Sequence, residues 1–508
     1  MDVTSIFFPL LILACAAIYW INGKARQWVI LLIASAVFYC LFSKPWTFIY
    51  VLLSTTSIYI ATAVIERLQD VRRRKLVSAI TLLINFGILA LIKYANLFIE
   101  TWNFFGAGLS KNFSAIPFVH YAAPLGISFY TLQLVSYFID FYRGEVKRER
   151  NIFKLLLFTC YFPMMISGPI CRYGDMRSRL FCVHKFDYER VKTGLVRMAF
   201  GLMKKMAIGN RLLVIANTID GDAGKYAGGY VWISAVIYTV FLYADFSGCM
   251  DIMIGASEIF GIRMPENFSA PFFSRNIQEF WRRWHITLGA WLRDYILNFL
   301  IKSRLFIDIS KFMRKHFGRR AGRTVPAYIS MLAVWFCMGL WHGNSWKYII
   351  GEGLWFWLVI VLGMMLESTF KKIIAILHIN EESRLWHVFQ SLRTFLIFTV
   401  GIFFFKAPSM IGAIRQLKTA FSTSWNPKYI PALPYADHSI GGMFGMIIVM
   451  IGLIMMFAAD IAEYRGDNPG DIIASRSVWQ RWSVYLLIIA MIVFSLGTDP
   501  APFAYSEF

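Results

Sequence analysis

The chain has 508 residues, of which 58% are hydrophobic and only 16% charged, whereas soluble domains run at about 45–50% apolar and 25% charged. The apolar residues gather in blocks, so the composition describes a polytopic membrane protein rather than a soluble one. The formal charge of +21 falls in clusters between those blocks, which is the positive-inside pattern and argues against a nucleic-acid partner.

In chain order, apolar blocks near spanning length stand at 5–22, 28–42, 46–65, 76–98 and 121–142. Lys24 and Arg26 follow the first block, Arg67 and Arg72 to Lys75 the third, and Arg143, Lys147, Arg148 and Arg150 the fifth. Those three loops are expected to be cytoplasmic, which puts Ser43, the 101–119 loop and the N-terminus on the exported side. The first block lacks a basic leader and a small-residue cleavage site, so it reads as a retained span. A sixth block, 152–170, ends in Ser167-Gly168-Pro169 and reads as a broken or re-entrant helix. The segment 171–228 carries Lys204, Lys205 and Arg211 inside an apolar run, a pattern that predicts an interfacial helix. The next span, 229–246, runs into Asp245-Phe246-Ser247-Gly248 and Asp251. Carboxylates at that depth are costly, and mark either function or pairing with the arginines of 275–293. Pro265-Glu266-Asn267-Phe268 then breaks the chain before its central stretch.

That stretch, 275–346, begins as a helix of mixed character. Phe280, Trp281, Trp284, Leu288, Trp291, Leu292 and Tyr295 recur at helical spacing and form one apolar face. Arg282 and Arg293, about three turns apart, share another face, and Glu279 and Arg283 form an i,i+4 pair. So much charge keeps this helix off lipid at the bilayer centre. It lies at an interface or dips in while covered by protein. Lys302 to Arg323 holds eight Lys/Arg against Asp308 and reads as a cytoplasmic anchor, or else as a landing site for an anionic partner. Further spans read at 325–341, 346–366, 391–405, 441–459 and 480–496, with an amphipathic surface helix at 409–421, a loop at 422–439 and an aromatic tail at 502–508. The sum is an all-α polytopic membrane protein of about eleven transmembrane helices plus re-entrant and interfacial helices. It is expected to form a single domain over 1–508, with peripheral spans in 1–120, a core in 121–366 and C-terminal spans in 367–508. The seven cysteines form no CxxC or Cys/His pattern, so neither a disulfide framework nor a metal site is expected.

Four motifs carry a resemblance. The first is Pro124-Leu125-Gly126-Ile127-Ser128-Phe129, with Asp140 and Tyr142-Arg143-Gly144 after it. The second runs from Asp245-Phe246-Ser247-Gly248 to Pro265-Glu266-Asn267-Phe268. The third joins Phe280-Trp281-Arg282-Arg283-Trp284-His285 to Trp291-Leu292-Arg293-Asp294-Tyr295. The fourth is Met338-Gly339-Leu340-Trp341-His342-Gly343. Together they resemble the membrane-bound O-acyltransferase superfamily, in its bacterial branch of alginate O-acetyltransferases and teichoic acid D-alanyl transfer proteins. Beyond Tyr295 the chain departs from the alginate-type Gly-Gly-Asn-Arg-like turn and reads Ile296-Leu297-Asn298-Phe299-Leu300.

The resemblance implies acyl transfer, first of all of acetyl, from a cytoplasmic thioester to hydroxyls of a cell-surface or exported polysaccharide. The donor is acetyl-CoA or an acyl carrier protein, with no bound cofactor, and the setting is the bacterial cytoplasmic membrane. An exported or membrane-anchored acyltransferase- or esterase-like partner completes the transfer. A hydroxyl is a poor nucleophile and needs a base as it attacks, and imidazole titrates near working pH. The family's catalytic histidine matches His342, and its second histidine motif matches His285, expected to orient a substrate or support His342. Trp341, Asn344, Trp284, Arg282, Arg293 and Asp245 are the substrate-binding candidates. The competing readings are D-alanyl transfer to teichoic acid from a carrier protein, a flippase for a lipid-linked glycan, for which intramembrane charge and broken helices are also suited, and a scaffold for an export complex.

Overall fold

Among the described residues, seven helices are long and apolar enough to cross a membrane: Pro45–Arg67, Val71–Leu109, Gly229–Ile259, Arg304–His342, Trp346–Met365, Arg384–Lys406 and Gly442–Arg465. Three shorter apolar helices, Phe7–Ile21, Gln27–Phe42 and Val478–Val493, accompany them, against the eleven or so spans expected from the blocks. This is the architecture of a multi-pass membrane protein. The computed structural model describes residues 4–5, 7–21, 26–109, 113–166, 168–222, 224–421, 426–435, 440–496 and 503. Ser167, most of the aromatic tail and parts of the 422–439 loop lie outside them. Among the described residues the only β pairing is an isolated antiparallel bridge from Phe268 to Trp284.

The chain divides into two units. The first holds residues 1–202, 248–265 and 500–508, and the second holds 203–247 and 266–499. The long Gly229–Ile259 helix gives its first part to the second unit and its last part to the first.

In the first unit, Phe48–Arg67 packs against Val71–Leu89, Ile127–Arg143 and Ile152–Cys160. Part of the segment expected as the 101–119 loop is helical, because Ala95–Leu109 continues the fourth span. The sixth block is broken at Tyr161, between Ile152–Cys160 and the short Phe162–Met165 turn, several residues ahead of the Ser167-Gly168-Pro169 on which the expectation rested. Tyr188–Met203 lies directly on the end of Gly229–Ile259. A Cβ on Gly194 would meet the Gly255 carbonyl at 2.7 Å, and one on Gly201 the Gly248 carbonyl at 2.5 Å. In lipid, where no hydrophobic drive joins helices, small residues of this kind permit the close backbone approach that does. Asp251 at this seam pairs with Arg197 at 3.0 Å.

The second unit corrects the interfacial reading of 171–228. Lys204, Lys205 and Arg211 are buried, not spread at a surface. Lys205 forms an ion pair with Asp245, Lys204 donates to Ser247 Oγ at 3.3 Å, and Arg211 donates to Ser495 Oγ at 2.6 Å and the Phe494 carbonyl at 3.1 Å. Their partners stand 40 or more positions away, so local amphipathicity carries no trace of them. The residues Lys204–Gly209 form a π-helical bulge, and both lysines within it are buried.

The basic segment and the following span form two helices within Arg304–His342, joined at the non-helical Gly318 with φ 85°. The charged arm, residues 302–323, spans this turn, with Arg319, Arg320 and Arg323 at the start of the second helix, and the apolar rod follows it. The expected surface helix is present as Met410–Ala420.

Candidate active site

The stretch expected to be one helix is two. Ile277–Arg283 ends, the chain turns at Trp284 and His285, and Ile286–Leu292 begins. The predicted apolar face survives this break. Phe280, Trp281, Trp284, Leu288, Trp291, Leu292 and Tyr295 are all buried. Trp281 packs on Trp335 and Phe356 at ring separations of 5.1 and 5.0 Å, and Phe280 on Phe398 at 4.4 Å. Such aromatic contacts add about 0.5–1.5 kcal/mol each beyond area burial, which anchors the break rigidly to three spanning helices. The Glu279–Arg283 pair is made, at 3.0 Å.

What breaks the helix is the Pro265–Phe268 motif. Ser269 N–H donates to the Arg283 carbonyl and Ile286 N–H to the Asn267 carbonyl, each at 3.0 Å. These bonds take the chain out of helical pairing on both sides of His285. His285 is left in the left-handed region, φ 49° and ψ 50°. For a residue with a Cβ that conformation costs about 1–3 kcal/mol and persists only where the surroundings enforce it. Here Asn267 does much of the enforcing. Its Oδ1 accepts from Thr287 N–H at 3.0 Å and from the Thr287 hydroxyl at 2.9 Å, and its amide lies 3.2 Å from His285 Nδ1.

His342 needs no such device. It is the last residue of a regular helix, and its Nδ1 lies 2.8 Å from the Met338 carbonyl one turn back. The helix end is seated by glycines. A Cβ on Gly339 would meet Ile349 Cα at 2.7 Å, and one on Gly353 the Trp335 carbonyl at 2.6 Å, so the His342 helix and the π-helical Ile349–Leu354 turn touch backbone to backbone.

The two histidines, 57 positions apart in sequence, come together at one indole. The ring of Trp341 lies 5.2 Å from that of His285 and 5.2 Å from that of His342, edge-on to both. Both imidazoles are fully buried, and Nε2 of each is shut off from the surface. Phe246 closes on His285 at 4.9 Å, and Trp284 stacks behind on Phe280 at 5.5 Å. The two imidazoles are therefore part of one buried, aromatic-walled cluster with Trp341, Phe246 and Trp284.

Of the other predicted residues, Trp341 and Trp284 are in this cluster. Asp245 is the neighbour of Phe246 in sequence and is engaged by Lys205. Arg282, Arg293 and Asn344 are exposed, and Arg293 pairs with Asp294 at 3.3 Å. The break puts Arg282 and Arg293 on separate short helices, so they no longer share one helical face. Asn267, Thr287 and Phe246 were not among the predicted site residues. The clue was in the motif, where an Asn follows Pro and Glu just ahead of the histidine stretch.

Comparison with known proteins agrees with the geometry. A family model described as MBOAT, the membrane-bound O-acyltransferase family, matches residues 119–405. A probable alginate O-acetylase of Azotobacter vinelandii is 31% identical over 99% of this chain and 98% of its own length. A peptidoglycan O-acetyltransferase of Helicobacter pylori is 29% identical over 64% of this chain and 62% of its own. A teichoic acid D-alanyltransferase of Bacillus subtilis is 31% identical over 44% of this chain and 55% of its own. The matched segment contains both histidines and the Asn267 turn, and the chain belongs to the membrane-bound O-acyltransferase family.

Proposed function

We propose that this O-acyltransferase moves an acetyl group from a cytoplasmic thioester to hydroxyls of a cell-surface or exported polysaccharide, with His342 as general base. The observation that supports it is the convergence of His285 and His342 on Trp341 in a buried cluster. A carbonyl oxygen only accepts, so His342 Nδ1 carries the proton that it shares with Met338. The lone pair is then on Nε2, on the other edge of the ring, ready to take the proton of an attacking hydroxyl. A dry site strengthens this by keeping bulk water from competing with the acceptor for the thioester.

The long-coverage similarity to an alginate-type O-acetylase favours acetyl over D-alanyl. The donor is acetyl-CoA or an acyl carrier protein, and an exported or membrane-anchored partner hands the group on. The charged arm, 302–323, lies in the cytoplasm, with the N-terminus outside, in the bacterial cytoplasmic membrane. From Gly318 to His342 the helix runs on through Pro326 and is about 36 Å long, more than the roughly 30 Å of the hydrocarbon core. Tilt sets how far past the midplane His342 stands, and a long thioester arm reaches it from inside.

The test is purified protein in liposomes given labelled acetyl-CoA and the polysaccharide. Thiol release is expected, with label on polysaccharide hydroxyls when membranes supplying the exported or membrane-anchored partner are added. Movement of unmodified lipid-linked glycan without thiol release contradicts the enzyme reading and supports a flippase. Transfer only from a D-alanyl carrier protein contradicts the choice of acetyl.

A further inference from the structure

The two imidazoles are held in opposite tautomers, and we propose that Asn267 makes His285 a hydrogen-bond donor to the oxygen of the reacting thioester carbonyl. The inference rests on the acyl-transfer reading above and deepens it.

The argument starts at Thr287. Its backbone N–H can only donate, and it points at Asn267 Oδ1 from 3.0 Å. The Thr287 hydroxyl donates to the same atom at 2.9 Å. That fixes which end of the carboxamide is oxygen, because a reversed amide would set two donors against each other. The other end, Nδ2, has only protons to give, and it lies 3.2 Å from His285 Nδ1. Oδ1 is farther from that nitrogen, at 3.4 Å, and already accepts two bonds. His285 Nδ1 therefore accepts, using its lone pair. In a neutral imidazole the proton is then on Nε2. Met338 imposes the reverse at His342, with Nδ1 protonated and Nε2 bare. The cluster around Trp341 so contains one ring nitrogen that takes a proton and one that offers one.

Acyl transfer needs both. The acceptor hydroxyl oxygen attacks the thioester carbonyl carbon while its proton passes to His342 Nε2. The carbonyl π pair moves onto oxygen, giving an oxyanion that His285 Nε2–H stabilises by a hydrogen bond without surrendering its proton. When the oxyanion collapses the C–S bond breaks, and the departing sulfur takes the proton from the His342 imidazolium. No further reactant enters. An N–H preorganised toward developing negative charge in a dry site is among the larger catalytic contributions available. It also explains why a strained backbone is maintained at His285, where Asn267 holds both the main chain and the ring. In these terms His285 is a catalytic donor and Asn267 a positioning residue.

The test uses the full-length protein in liposomes with ring-15N histidine, read by solid-state NMR. The signals of His285 and His342 are identified by subtraction with H285Q and H342Q. Nδ1 of His285 is expected as the unprotonated nitrogen and Nδ1 of His342 as the protonated one. A protonated Nδ1 on neutral His285 overturns the assignment. In kinetics, Asn267→Ala should lower kcat per folded molecule toward the roughly 10²–10³-fold of a lost oxyanion donor, with KM for the thioester unchanged. H285Q, whose amide N–H reaches near the Nε2 position, should retain more kcat than H285A. If Asn267→Ala lowers only the yield of folded protein, with kcat intact, Asn267 is a structural staple and the proposal fails, while an inactive H342Q still supports the base. If H342Q is active, the underlying reading fails whatever Asn267 does. Where Asn267→Ala does not insert, the wild-type spectrum decides.

Discussion

His285 and His342 sit against the same indole, yet the chain delivers them by opposite means. His342 ends a regular helix, and an ordinary carbonyl one turn back sets its tautomer. His285 stands on a left-handed kink between two seven-residue helices, held by a side chain 18 positions upstream. The difference shows that a lone-pair nitrogen can be had from helix geometry alone, whereas an N–H aimed into a dry site requires a dedicated and strained support. A base at a helix end should tolerate a smaller side chain structurally while failing chemically. A donor on a kink should be vulnerable through its supports as well as itself.

The comparison can be broken most sharply at the base. His342→Ala should insert normally and lose transfer by about 10²–10⁴-fold, the range for a positioned base, measured as thiol release per folded molecule. His285→Ala should cost less, about 10²–10³-fold in kcat, as loss of a stabilising donor does. A reversed order would mean that the roles are exchanged.

How much of this was legible in the sequence follows the same division. The placement of His342 could be read because its parts are local: an apolar run, Trp341, and the histidine at its end. The aromatic face from Phe280 to Tyr295 was legible too, since helical spacing is local, and every one of those residues is buried. The kink was not, because nothing between Arg275 and Tyr295 interrupts helical periodicity. Its cause is the pairing of Asn267 and Ser269 with residues 283–287. Lys204 and Lys205 were misplaced for the same reason. Their partners, Ser247 and Asp245, lie on another helix, and an amphipathic pattern cannot tell a buried paired cation from a solvated one.

That second failure gives the next expected effect. Lys205→Met removes the buried ion pair with Asp245, and breaking a buried pair by one partner costs about 3–5 kcal/mol. Thermal unfolding in detergent should fall accordingly, and adding Asp245→Leu should recover much of the loss. Failure of the double variant to recover would mean that Asp245 is held by something other than this pair. A smaller effect is expected at the helix seat. Gly339→Ala drives a methyl to within 2.7 Å of Ile349 Cα, and overpacking of this kind costs about 1–3 kcal/mol. It should also lower kcat, because it displaces His342 directly. Unchanged stability and kcat would show that the seat is looser than its backbone contacts indicate. Smallest is the charged arm. Reversing Arg314, Lys315, Arg319 and Arg320 should weaken transfer only at low salt if the arm receives an acidic carrier. Activity unchanged at every ionic strength would leave it as an anchor alone.

The most direct test of the central claim is a single variant, His342→Gln, in liposomes with labelled acetyl thioester, polysaccharide and membranes supplying the partner. Glutamine keeps polar atoms for the Met338 carbonyl but has no nitrogen basic enough to take the hydroxyl proton. A correctly inserted H342Q that releases no thiol and leaves the polysaccharide unlabelled is the predicted result. Near wild-type labelling by that protein would contradict it.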